Sequence, residues 1–259
     1  MILATAAKKK KPPAKAGAAA KKLPAKKVGA ASGGAAPIAG NLFHPFDFKG
    51  ATTARWRSDW TTFKSMIWSA STPSTPISVG ETALLTWFGG SVERIAMMVY
   101  AIHKIVPTHV ARELEIGDFR ADFAWASIDP DADATVGFIE LENCLEKTIF
   151  EKKKRKAPYL GERFLGGFGQ LVDWCAFGQN QAQADATIST LLGPKFDNAR
   201  YVYSLVAGHR AFWNDALSLR RMNWWAANMS LGSGTTTLTF DQLEQEGSLN
   251  LKLLEKART

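Results

Sequence analysis

Asp122, Glu140 and Glu142 are the residues whose types and spacing could do chemistry. Successive side chains on a strand point to opposite faces. In Phe138-Ile139-Glu140-Leu141-Glu142 the two carboxylates therefore share one face, and Ile139 and Leu141 share the other. On the preceding apolar run, Asp122 lies on the face opposite Phe123 and Trp125. If the two runs pair antiparallel through the 129–135 loop, Asp122 stands close to Glu140. Carboxylates on one face repel unless a cation or a proton is shared. A hard divalent cation with oxygen ligands, Mg²⁺ or Mn²⁺, relieves that repulsion, polarises a phosphoryl oxygen and activates water. The same spacing also fits solvated, outward-facing acids on a half-exposed strand.

Competing chemistries find less support. Asp129, Asp131, Asp133 and Glu140 fall at positions 1, 3, 5 and 12 of a calcium-loop pattern. That pattern needs Gly at its sixth position, where this chain has Ala134, and the flanks read as strands, so the segment is expected to be an acidic hairpin loop. No GxxxxGK[ST], GxSxG or HExxH motif is present. Gly161, Gly166, Gly167 and Gly169 follow no apolar strand, as a dinucleotide fingerprint would require. Cys144 and Cys175 have no metal-ligand spacing; two thiols in a chain of this length fit a reducing cytoplasm.

The elements that must position the carboxylates follow from periodicity. Trp56, Trp60 and Phe63 lie at i, i+4, i+7, one face of a helix. Residues 78–90 read as a short helix, with Ser78 and Glu81 at capping-box spacing. Residues 91–106 follow the helical period before Pro107, with His103 on or beside the apolar face as a core histidine. From about 111 the period changes to two, giving strands over 114–116, 119–128 and 136–143, the first pair turning at Gly117-Asp118. A basic connection covers 146–156 and a helix lies near 162–177. A buried strand is expected over 200–208 and a helix over 212–229, where Arg220-Arg221 beside Trp224-Trp225 suits indoles packed inward. A last strand covers 235–240, and Asp241 is placed to cap a final short helix. The class is α/β or α+β, a mixed sheet flanked by helices.

Composition sets the organisation. The chain has 259 residues, 46% of them hydrophobic, with nine Trp and fifteen Phe, enough for a sizeable core. Residues 1–40 are Ala/Lys/Pro-rich and hold nine Lys and no acid, so this expected disordered tail carries more than the whole net charge of +8. The remainder is a nearly neutral globule, with a helical, aromatic-rich part over 41–110 and a mixed part over 111–259. The tail fits an electrostatic arm for nucleic acid or a solubilising linker. The run Lys152, Lys153, Lys154, Arg155 and Lys156 could steer a phosphate backbone, or be a solvated charge run. No stretch approaches the ~18–20 apolar residues of a membrane span, so no membrane partner is expected. The aromatic-rich first third also fits a homo-oligomeric scaffold.

The ordered set FRADFAW, GFIELEN, FGQLVDW, ARYVYSLVAGHR and TTTLTFDQL, over roughly 111–245, resembles the Shedu-type domain of the PD-(D/E)XK nuclease superfamily. The resemblance implies a restriction-endonuclease-like fold and metal-dependent hydrolysis of nucleic acid, most readily DNA, in antiphage or similar genome defence. It implies that Asp122 and Glu140 hold the metal, with the Leu141 carbonyl as a further ligand. It implies that Gln170, four residues before Trp174, orients the water or a ligand. The pattern here is ExK or ExE, and Glu142 stands where the superfamily has Lys, whose charge would offset developing negative charge; a Glu there could act as base or bind a second metal, and Lys147 is the nearest replacement in sequence. The departure leaves open a catalytically inactive nuclease-fold module that binds nucleic acid or a partner protein.

Overall fold

The computed structural model describes residues 38–49, 52–72, 74–151, 157–229, 231 and 234–256. The Lys-rich tail up to residue 37 and the run Lys152–Lys156 lie outside the described residues. The described residues form one compact unit.

Its centre is a six-stranded mixed sheet in the order β1-β2-β3-β4-β7-β8. The strands are β1 (Phe43–Pro45), β2 (His109–Ile116), β3 (Phe119–Ser127), β4 (Thr135–Leu141), β7 (Arg200–Val206) and β8 (Thr235–Leu238); β5 (Phe150–Glu151) and β6 (Tyr159–Leu160) form a separate ribbon. The first four strands of the large sheet run antiparallel, and β4–β7 and β7–β8 are parallel. Parallel neighbours need long crossovers. Here these carry α4 (Glu162–Asp173), α5 (Gln179–Ala182), α6 (Ala186–Leu192) and α7 (Ala216–Asn228). The remaining helices are α1 (Thr52–Ile67), α2 (Glu81–Gly89), α3 (Val92–His103) and α8 (Phe240–Lys256). Among the described residues, no helix is long and apolar enough to cross a membrane.

Alternation along the strands divides the core in two. Phe123, Trp125, Ile139 and Leu141 point into an aromatic cluster with Trp56, Trp60 and Phe63 of α1, Phe88 of α2 and Phe240 of α8. Gly247 of α8 permits this packing, since a Cβ there would stand 2.1 Å from the Trp60 ring. On the other face Ala124, Phe138, Tyr203 and Leu205 meet Phe164, Leu171 and Trp174. Trp174 opens a π-helical turn, Trp174–Gly178, that continues α4 where a plain helix over 162–177 is expected.

Several local expectations are corrected. The Ser78–Glu81 box does not form: α2 starts at Glu81, its N-cap is Gly80, and no side chain caps it. Helix α3 stops at His103, because Lys104 turns left-handed at φ +60° and returns its N–H to the Tyr100 carbonyl. His103 is a core histidine, 3.0 Å from the Ser204 hydroxyl, and burial pushes its pKa down to about 4. The calcium-like loop is closed by its own cation. Lys195 donates to the carbonyls of Asp129, Pro130 (3.0 Å) and Ala132 (2.5 Å). The indoles of α7 divide, Trp225 packing edge-on against Phe164 and Phe168 while Trp224 stays 60% exposed.

The last helix is seventeen residues long, not short, and Asp241 does not cap it. Thr239 and Gln242 do: the Gln242 side chain accepts the Thr239 N–H (3.0 Å) while the Thr239 hydroxyl accepts the Gln242 N–H (3.4 Å). Asp241 instead joins the end of β7 to the start of α8, accepting the Arg210 backbone N–H (3.0 Å) and Nε (2.5 Å). Burial alone would raise its pKa; these two bonds, with Thr239 and His209 adding to them, hold it below the ordinary value. A depressed carboxyl contributes stability that is full above its unfolded pKa and lost as pH falls through the folded one. Asp241→Ala is therefore expected to cost about 3 kcal/mol at pH 7, less below pH ~4, as read by urea unfolding at both pH values.

Candidate active site

Strands β3 and β4 pair with Phe123 opposite Ile139. Continuing that register sets Asp122 opposite Glu140, on the face covered by α4. The ladder does not continue with it. The Leu141 N–H donates to Asp122 Oδ2 (2.8 Å), so a side chain stands where a strand carbonyl would. On the far side of β3, Glu113 lies between the paired residues Arg112 and Leu114, level with Asp122, and takes φ +49°. A bulky residue with positive φ is strained; β2 is distorted at the level of the carboxylates.

Asp122 is half-buried, and Glu140 and Glu142 are 5% and 9% exposed. Asp122 and Glu140 act on each other electrostatically, and both pKa values are raised. Burial is the main cause for each. The Asp122 charge adds to it at Glu140. The Trp174 indole N–H donates to Glu140 Oε1 (3.3 Å) and favours the charged form. Glu142 is pushed up to about 7 by burial and by Glu81, with Arg163 opposing. Its Oε2 is buried and has no hydrogen-bond partner. Gly167 of α4 lets the helix lie on it, since a Cβ there would be 3.0 Å from Glu142 Cγ. Arg163 Nη1 is 3.9 Å from Glu142 Oε2 and 3.4 Å from Glu81 Oε2.

Among the described residues, no three Asp, Glu, His or Cys side chains form a ready metal cage. Magnesium is commonly held by one or two carboxylates and keeps several waters. Asp122 and Glu140 supply two such carboxylates, and Glu142 Oε2 is an unused buried acceptor beside them. The donor set fits a hard divalent ion.

A family model described as Shedu protein SduA, C-terminal, matches residues 82–243, from within α2 to the first turn of α8. The chain belongs to the Shedu SduA C-terminal family. No curated protein matches it. In this Shedu domain the structure brings Asp122, Glu140 and Glu142 together. Gln170 lies on α4 with an exposed side chain that bonds to none of them among the described residues. Lys147 is exposed and has no ion pair with the carboxylates. Lys152, Lys153, Lys154, Arg155 and Lys156 lie outside the described residues. Sequence reasoning missed Arg163 and gave Glu81 and Trp174 other parts. The visible signal was Gly166-Gly167 inside a helix, a bare face that something must fill.

Raised carboxyl pKa values carry a definite sign. Between the ordinary value and the raised one the folded chain binds more protons than the unfolded chain, so stability falls as pH rises. In chelator, the melting temperature is expected to drop between pH 5.5 and 8. Glu140→Gln should flatten that slope and raise the pH 8 melting temperature by about 3 °C. An unchanged slope by calorimetry would refute the buried acid pair.

Proposed function

We propose that this Shedu chain hydrolyses nucleic-acid phosphodiesters, DNA foremost, as an Mg²⁺- or Mn²⁺-dependent nuclease of genome defence. The observation that carries the reading is the Asp122–Glu140 pair, set side by side by the register of β3 and β4, with Asp122 pinned by the Leu141 N–H. A bound divalent ion would polarise the phosphoryl oxygen and lower the pKa of water. Asp122 and Glu140 would hold it, its charge relieving their mutual repulsion. Trp174 orients Glu140 through its indole N–H. Glu142 offers Oε2, which accepts no hydrogen bond and faces Arg163 Nη1 at 3.9 Å, as a base for the proton of the attacking water. A group with a pKa about 7 is suited to that task near neutrality.

Glu142 in place of Lys supports a second reading, an inactive nuclease fold that binds nucleic acid. Plasmid cleavage with Mg²⁺ or Mn²⁺ separates the two. Wild type is expected to cut, and Asp122→Ala and Glu140→Ala to leave the plasmid intact. Glu142→Gln should lose about a hundredfold in rate, and the wild-type rise in rate through pH 7 should vanish with it. Binding without cleavage under either metal would favour the inactive module.

A further inference from the structure

The signature lysine is missing from position 142, yet a cation does reach the carboxylate face. Among the described residues the only ion pair of Glu142 is with Arg163, from the first turn of α4. The same Nη1 reaches Glu81 of α2. Both separations, 3.9 and 3.4 Å, are long for a charge-assisted bond. The guanidinium is tethered between two acids rather than locked to either. Its Nε and Nη2 meet no acceptor among the described residues, and the side chain is 63% exposed. An arginine fork with open donors matches two oxygens of a phosphate. The helix leaves room for one. At Gly166 an added Cβ would meet only Glu142 Oε1, 4.0 Å away, and at Gly167 it would press on Glu142 and Leu205. Beside Arg163 the next turn of α4 therefore leaves open space at Gly166, while Gly167 packs directly on Glu142 and Leu205.

We propose that Arg163 is the residue that grips the phosphodiester group, supplying from α4 the positive charge that the superfamily pattern places on β4. Glu81 and Glu142 hold its guanidinium on the carboxylate face until a phosphate takes the open donors. The inference rests on the nuclease reading for its catalytic meaning, but phosphate binding can be measured without cleavage.

The full chain is tested in two assays. Binding of a fluorescent DNA duplex is followed by anisotropy in EDTA across a salt series, and plasmid cleavage is followed with Mg²⁺. Arg163→Ala and Arg163→Gln are expected to weaken binding about tenfold. They should also reduce the slope of log K against log[salt] by about one, as loss of one phosphate contact requires. Arg163→Lys should keep the slope, because the charge remains. Arg57→Ala, whose guanidinium pairs with Glu255 of α8, should bind and cleave as wild type. Melting temperatures confirm that each variant is folded at the assay temperature, and Arg163→Gln retains hydrogen-bonding capacity should the alanine variant unfold. If both neutral variants bind and cleave like wild type, the inference fails and the nuclease reading stands. If wild type cuts nothing but its binding depends on Arg163, the phosphate grip stands and the nuclease reading fails. If wild type neither binds nor cuts, both fail.

Discussion

Burying a carboxylate costs several kcal/mol unless hydrogen bonds or an opposite charge offset it. Asp122, Glu140 and Glu142 share one face of a sheet beneath a helix, and the surrounding structure is arranged to make that tolerable. The first two have raised pKa values, with burial as the main cause. The Leu141 N–H and the Trp174 indole N–H serve one carboxylate each. Arg163 stands at the third. The strand ladder yields where Asp122 takes a backbone donor, β2 carries a left-handed Glu113 at that level, and α4 presents glycines in place of side chains. These departures from regular geometry gather at one place. The opposite face of the sheet, packed with α1, α2, α3 and α8, supplies a large aromatic core.

The Shedu signature divides by physical role. The segments on β3, β4 and the end of α4 bring the carboxylates together and orient them. The segments at Gly208-His209-Arg210 and Thr239-Phe240-Asp241-Gln242-Leu243 hold the chain together. Arg210 and Asp241 fasten β7 to α8, and Thr239 with Gln242 starts the helix. His209 is fully buried, its Nδ1 accepting the Ala211 N–H, and it is closed to any ligand. A residue pattern shared along a family is thus not a roll of chemical groups.

Much of this was legible in the sequence, for reasons of range. A period of two over Phe119–Ser127 and Thr135–Leu141 sorts side chains to faces without knowledge of the partner strand, and the hairpin loop makes those strands neighbours. That sufficed for Asp122 beside Glu140. Helical spacing sufficed for Trp56, Trp60 and Phe63. Strands of two or three residues, such as β1, β5 and β6, contain no full period and exist because a partner pairs with them. Glu81 carried a plausible local explanation as a capping residue, and the helix simply began there. Arg163 was the hardest to see. It lies in a different element from both of its acids, and only the docking of α4 over β4 brings them within reach.

The loop between β3 and β4 has its own lesson. Its carbonyls already surround the ammonium of Lys195, so the position that a calcium pattern suggests is filled by a counter-ion bonded to the chain. Such an ion cannot be dialysed away, and its local concentration does not depend on the buffer. A soluble cation would compete there against an occupant that never leaves. If Asp122 and Glu140 hold a divalent ion as proposed, a chelator would act on that face and leave the hairpin in shape.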